Sequence, residues 1–286
     1  MYTDPMVPSR GTYLARAVKA TLGDPGEAVE KIRERAADRW ERAVRGDSRP
    51  RSAPAENWEQ KLHKLLGADW PCAEAAAFPS AWAAAKQTMS AHGLSVGRQN
   101  YGDDDDADPG LARTLWCLVH HLQAENVVET GVAHGLSSRV MLEALKRTGS
   151  GEGHLSSIDR PAMTIDERRA EIGAAVTDEL RGRWTYLEGA SRRRLPPLLR
   201  RLGQIDLFVH DSLHSTRNVH WELDTAWKAL RPGGFVVVDD VDFNWGFELF
   251  LAAGLDRDPL WCMADDGQRS FAIARKLAPG EQPRST

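Results

Sequence analysis

The chain of 286 residues has little cysteine, no long apolar run and no excess of positive charge, and each shortage narrows what it can be. Its three cysteines, Cys72, Cys117 and Cys262, are odd in number, widely spaced and free of any C-x-x-C pair. A disulfide framework or a zinc site is therefore not expected, and a reducing compartment fits. No apolar stretch approaches the roughly 20 residues that span a bilayer. The opening segment MYTDPMVPSR lacks the apolar centre of a secretory signal. These features predict a cytoplasmic protein with no membrane partner. Asp and Glu number 41 against 37 Lys and Arg, for a net charge of −4. Nucleic acid selects basic surfaces, so no nucleic-acid partner is expected. The cluster Arg192, Arg193 and Arg194 reads as a solvated helix face.

What is present suits one large α/β domain preceded by a helical extension. Residues 11–22 form a candidate short helix. In 25–45, Val29, Ile32, Ala36, Trp40 and Val44 recur every three or four positions, the stripe of an amphipathic helix. The Pro-, Ser- and Arg-rich segment 46–55 reads as a linker. Helical patterns follow at 56–66 and 73–92. The acidic run Asp103 to Asp106 lacks the alternating spacing and distal Glu of a calcium-binding EF-hand loop, and reads as a solvated loop. Asp108 before Pro109 is the expected cap of a helix over 109–123.

From residue 126 the pattern alternates. Candidate strands are 126–130, 154–158, 183–187, 205–210 and 234–239, with candidate helices at 135–147, 164–181, 191–202 and 215–230. Segments 258–264 and 269–275 read as an antiparallel hairpin around Asp266-Gly267. The expected fold is α/β: a Rossmann-like, doubly wound, mostly parallel sheet with a C-terminal antiparallel hairpin and an N-terminal helical extension. The division is 1–108 for the extension, a candidate lid together with the loop 98–101, and 109–286 for the sheet domain.

In such a sheet ligands sit beyond the carboxyl ends of the strands, where strand order reverses. The first strand runs into Glu129-Thr130-Gly131-Val132-Ala133-His134-Gly135. Counting from Gly131, a dinucleotide fingerprint would need glycines where Ala133 and Leu136 stand, and no phosphate-binding G-x-x-x-x-G-K-[ST] loop occurs. A nucleoside ligand without a pyrophosphate fits, and a nicotinamide oxidoreductase does not. Residues 126–145, NVVETGVAHGLSSRVMLEAL, resemble motif I of the class I S-adenosylmethionine-dependent methyltransferases, in the small-molecule O-methyltransferase-like subgroup. The likeness spans about residues 111–275 and is strongest over 205–239, which resembles the fourth strand, following helix and Pro-Gly-Gly turn of that subgroup. It implies S-adenosylmethionine as cofactor, bound by Glu129, Gly131, Ala133 and Gly135 of the loop, with Ala133 in place of the middle glycine. It also implies ribose contact by Asp159 and adenine contact around Ala190 and Ser191.

Asp211 follows the fourth strand, and Asp239 and Asp240 follow the fifth. Three crowded carboxylates repel one another unless neutralised, and Mg²⁺ is the simplest partner. A subset of similar O-methyltransferases uses such acids, so Asp211, Asp239 and Asp240 are the candidate metal ligands. His214, in H-D-S-L-H, is the candidate general base, paired with Asp211 as catalytic residues; Leu213 stands where some metal-using relatives carry an acid. His134 is a second candidate, or a loop stabiliser, and His210 reads as a structural strand-end residue. The leading expectation, which the resemblance implies, is metal-assisted methyl transfer to a hydroxyl of a small molecule. The alternatives are a metal-independent methyltransferase on another nucleophile and a non-catalytic cofactor-binding partner protein. A homo-oligomer is compatible with either.

Overall fold

Val127 and Val128 show how the sheet is made. Successive side chains of a strand point to opposite faces, and these two valines enter two different cores. The alternation repeats with Leu207 and Val209 against Phe208, and with Phe235 and Val237 against Val236 and Val238. A strand that is apolar on both faces must be covered on both. The structure, a computed structural model, describes residues 25–45, 53–97, 107–149, 151–160 and 166–283. The expectations for 11–22, for 98–101 and for the acidic run 103–106 lie outside these residues, as does most of the 46–55 segment.

The strands are β1 (Asn126–Thr130), β2 (His154–Asp159), β3 (Trp184–Glu188), β4 (Ile205–His210), β5 (Leu230–Val238), β6 (Arg257–Met263) and β7 (Ser270–Lys276). Their order is β3-β2-β1-β4-β5-β7-β6. β1 to β5 run parallel, while β7 is antiparallel to β5 and β6 to β7. The expected Rossmann-like sheet with its terminal hairpin is present.

The helices are α1 (Pro25–Arg45), α2 (Trp58–Leu65), α3 (Ala73–Ala91), α4 (Pro109–Leu122), α5 (Leu136–Arg147), α6 (Asp166–Glu171), α7 (Asp178–Arg181), α8 (Ser191–Leu202), α9 (Thr216–Ala229) and α10 (Gly246–Ala252). Asp108 caps α4, its carboxylate accepting from Gly110 N at 2.7 Å and, from the hairpin turn, Asp265 N at 2.9 Å. One face of the sheet is covered by α4 and α5 together with α2 and α3. Trp58, Leu62, Phe78, Trp82 and Met89 are buried in that same core, and Trp58 meets Phe271 of β7 edge-on at 5.3 Å. Ala55 N donates to the carbonyl of Trp261 in β6. The helices over 58–91 are therefore a wall of the sheet domain, with their apolar stripes turned inward. The stripe of α1 behaves differently: Val29, Ile32, Trp40 and Val44 stay exposed.

The helix expected over 164–181 is instead two short ones, α6 and α7, joined by non-helical chain. Backbone donors that a continuous helix would use internally go to the loop after β1. Gly173 N donates to Ala133 O at 3.0 Å and Ala175 N to His134 O at 2.9 Å. Gly173 lies in the left-handed region at φ 67°. A Cβ there would come within 2.3 Å of the Trp184 ring, so the break depends on the absence of a side chain.

Candidate active site

The strand order reverses between β1 and β4, and the chain leaving each strand supplies the site. The loop from β1 is pressed against the loop from β4. Gly131 has φ 88°, and a Cβ on it would lie 1.7 Å from the carbonyl oxygen of Asp211. No side chain fits at 131, and a left-handed residue is needed. Ala133 also adopts positive φ, at 47°, in a conformation that costs an L-residue about 1–2 kcal/mol. Asp159, at the end of β2, sits beneath this loop. One of its oxygens accepts from Val132 N and Ala133 N, each at 3.1 Å, and the other from Arg160 N at 2.6 Å. The half-buried carboxylate thus fixes the loop that the cofactor expectation assigns to it.

Glu129 differs from its expected place. It is fully enclosed, and its oxygens accept from Ser137 Oγ at 2.6 Å, Ser138 Oγ at 2.5 Å and Ser157 Oγ at 2.7 Å. Burial pushes its carboxyl up to about 7 against the pull of those hydroxyls. It acts on the loop through the first turn of α5 rather than by facing a ligand. Ala190 is buried at the start of α8, and the Ser191 hydroxyl is drawn to Glu222.

At the end of β4 a buried network sets the position of the next loop. Glu222 of α9 accepts from Thr130 Oγ1 at 2.6 Å and pairs with His210 Nδ1 at 2.6 Å, both residues being wholly buried. Burial opposes ionisation of Glu222, but the charge and hydrogen bond of His210 hold it down to about 2. Asn218 links the same carboxylate, at 3.0 Å, to the carbonyl of Leu213, at 3.1 Å, and Ser215 caps α9 by accepting from Asn218 N. His214 is held between these two points. Its Nε2 lies 3.8 Å from Asp211 Oδ1 and 3.7 Å from Asp240 Oδ2. Burial, then the neighbouring His210, hold its imidazole below the ordinary value.

Residues 128–241 match a family model described as a methyltransferase domain. Over that stretch the chain carries a methyltransferase domain. Over 162 residues, 55% of this chain, it is 27% identical to a highly reducing polyketide synthase of Pyrenophora dematioidea. It spans only 6% of that relative's length. Among solved structures, cofactor-bound Rv0187 from MTB is 20% identical with a TM-score of 0.51, covering 79% of this chain and 99% of that one; this likeness shows the fold alone. An O-methyltransferase from Bacillus cereus in complex with SAH is 19% identical, with a TM-score of 0.48 and coverage of 84% and 97%.

In this methyltransferase the expected metal ligands do not close on a common point. Among the described residues, Asp211, Asp239 and Asp240 form no set whose oxygens all lie within 4.8 Å of one another. His214 takes up the space between Asp211 and Asp240. Asp239 N is tied to His210 O at 3.0 Å, and burial together with the adjacent Asp240 pushes its carboxyl up to about 8. The acids share a sheet edge, as the sequence implies, but among the described residues their oxygens are not gathered as a ligand set. Glu222 was missed by the sequence reading. Its signal was available: with Val219, Leu223 and Ala226 it completes the buried stripe of α9, an unusual place for a carboxylate without a buried partner.

Proposed function

We propose that this methyltransferase takes S-adenosylmethionine as methyl donor and acts on a hydroxyl of a small molecule, with His214 as general base. The observation that carries the reading is the position of His214 Nε2 between Asp211 and Asp240. Held below its ordinary value, His214 rests as the neutral imidazole, the form that can accept a proton, and the two carboxylates beside it stabilise the imidazolium that forms on transfer. An alcohol becomes strongly nucleophilic as its proton leaves, whereas an amine already carries its lone pair, so a placed base favours an oxygen acceptor. The cofactor, when bound, supplies an electrophilic methyl group on a sulfonium. The fit to the chain rests on the glycine-bearing loop at the strand-order reversal and on Asp159, whose carboxylate can also accept from ribose hydroxyls. The loop residues Gly131, Ala133 and Gly135 hold the donor; Asp211 and Asp240 orient His214; the Glu222–His210 pair keeps the β4 end in register. The gain comes chiefly from alignment of acceptor and donor, with the base adding to it.

The test pairs calorimetry with turnover. S-adenosylhomocysteine should bind the wild-type chain and His214→Ala alike. S-adenosylmethionine consumption with a panel of phenols, catechols and sugar diols should fall by about 10²–10⁴ in His214→Ala. Added Mg²⁺ should leave the rate unchanged. A variant with wild-type turnover removes His214 from the role of base, and saturable activation by Mg²⁺ that Asp239→Asn abolishes restores the metal-assisted mechanism.

A further inference from the structure

A second group of chemistry-bearing side chains stands among the N-terminal helices and takes no part in the site above. His63 near the end of α2, Cys72 capping α3 and His121 in the last turn of α4 each offer one ligating atom, and these atoms all lie within 4.8 Å of one another. We infer that His63, Cys72 and His121 form a zinc site that ties the N-terminal helices to the methyltransferase core. The wide sequence spacing hides it, which is why the scarcity and separation of the cysteines argued against zinc.

The donors are arranged as ligands. His63 Nδ1 lies 2.8 Å from the carbonyl oxygen of Glu59. A carbonyl only accepts, so Nδ1 carries the hydrogen and Nε2 presents its lone pair. That Nε2 faces Cys72 Sγ at 3.3 Å. Ligating histidines are commonly oriented in this way, the far nitrogen donating to a carbonyl. Cys72 Sγ also accepts from Ala75 N at 3.3 Å, which fixes the sulfur at the start of α3. Nε2 of His121 is buried and has no hydrogen-bond partner among the described residues, while its ring meets that of His63 edge-on at 5.5 Å. A buried nitrogen left in this state calls for a partner of its own, a water or an ion.

The donor set decides the metal. Two imidazole nitrogens and one sulfur are borderline-soft, suited to Zn²⁺ and foreign to Mg²⁺ or Ca²⁺, which take oxygen. Cys117, one turn before His121 on α4, is hydrogen-bonded to Cys72. It stands behind the sulfur ligand and holds it in place. On binding, the Cys72 thiol releases its proton to solvent as the zinc–sulfur bond forms, and water completes the tetrahedron.

The full chain, stripped with a chelator and returned to chelator-free buffer with a phosphine reductant, is titrated with zinc sulfate and separately with cobalt chloride. The expected results are one zinc per chain by elemental analysis, a sulfur-to-cobalt band in the near ultraviolet, and a higher melting temperature with zinc. Cys72→Ser is the diagnostic variant. Serine is a favoured helix cap, so α3 keeps its start while the soft ligand is lost. The cobalt band should vanish and zinc affinity fall by more than about 100-fold, beyond the effect of losing an outer partner. Zinc bound as tightly by Cys72→Ser or His121→Gln as by the wild type overturns the site, as does the absence of stoichiometric zinc. Should a variant fail to fold, the wild-type chain decides: zinc must slow alkylation of Cys72 by iodoacetamide, read peptide by peptide in mass spectrometry, and unchanged alkylation overturns the assignment.

Discussion

Burial and three serine hydroxyls pull Glu129 in opposite directions, and burial wins. Its folded-state carboxyl titrates near 7, above its ordinary range. The fold therefore favours the protonated form, and the stability it contributes is complete below the ordinary carboxylate range and lost as pH rises through 7. Glu129→Gln keeps the shape and removes the titration. At pH 8 it should gain on the order of 1 kcal/mol, about 2–4 °C in melting temperature for a chain of about this size. Identical pH slopes of melting temperature in the two proteins would remove the buried charge as the cause. At this scale the sequence was informative about which residues stand at strand ends, because position in a parallel sheet follows from alternation. It was silent on which way they face. Glu129, read as a cofactor contact, points inward to Ser157 of the adjacent strand, a partner that only the β1–β2 pairing brings near.

Elements were legible where periodicity decided them, and less so where a contact from elsewhere overrode it. All five parallel strands and the hairpin follow from apolar runs bounded by turn residues. The interruption between α6 and α7 does not, because its cause is the loop after β1, far away in sequence. Gly173, an unfavourable residue for a helix interior, was the local sign of it. Gly173→Ala should push against the Trp184 ring and shift the chain that braces Ala133 and His134. We expect a stability loss of more than about 2 kcal/mol and a drop in S-adenosylhomocysteine affinity of at least about tenfold. Wild-type affinity by calorimetry in a variant of normal stability would show that this segment does not support the loop. The three acids make the complementary point. Adjacent strand ends place them on one edge, but convergence of their oxygens depends on rotation about Asp240, whose φ of 51° belongs to no regular strand.

Over the whole molecule, the covering of one sheet face comes from helices near the start of the chain. Trp58, Leu62, Phe78, Trp82 and Met89 share a core with Leu115, Leu118 and Phe235. Each large apolar side chain deprived of such cover forfeits about 1.5–3 kcal/mol. Removal of residues 1–92 should therefore give a chain that aggregates, eluting in the void volume of a sizing column. A soluble monomer with intact S-adenosylhomocysteine binding would mean that the helices are dispensable to the sheet.

The contact of Trp58 with Phe271 also sets an order of events on the ribosome. The tryptophan emerges roughly 200 residues before the phenylalanine that shields it. At bacterial to eukaryotic synthesis speeds that interval is about 10–40 s. Throughout it, the nascent chain holds an apolar helix without its seat, since β6 and β7 follow every other described strand. Closure of this core waits for Phe271, and until then the helix is a natural client for whatever chaperone meets the chain at the exit tunnel.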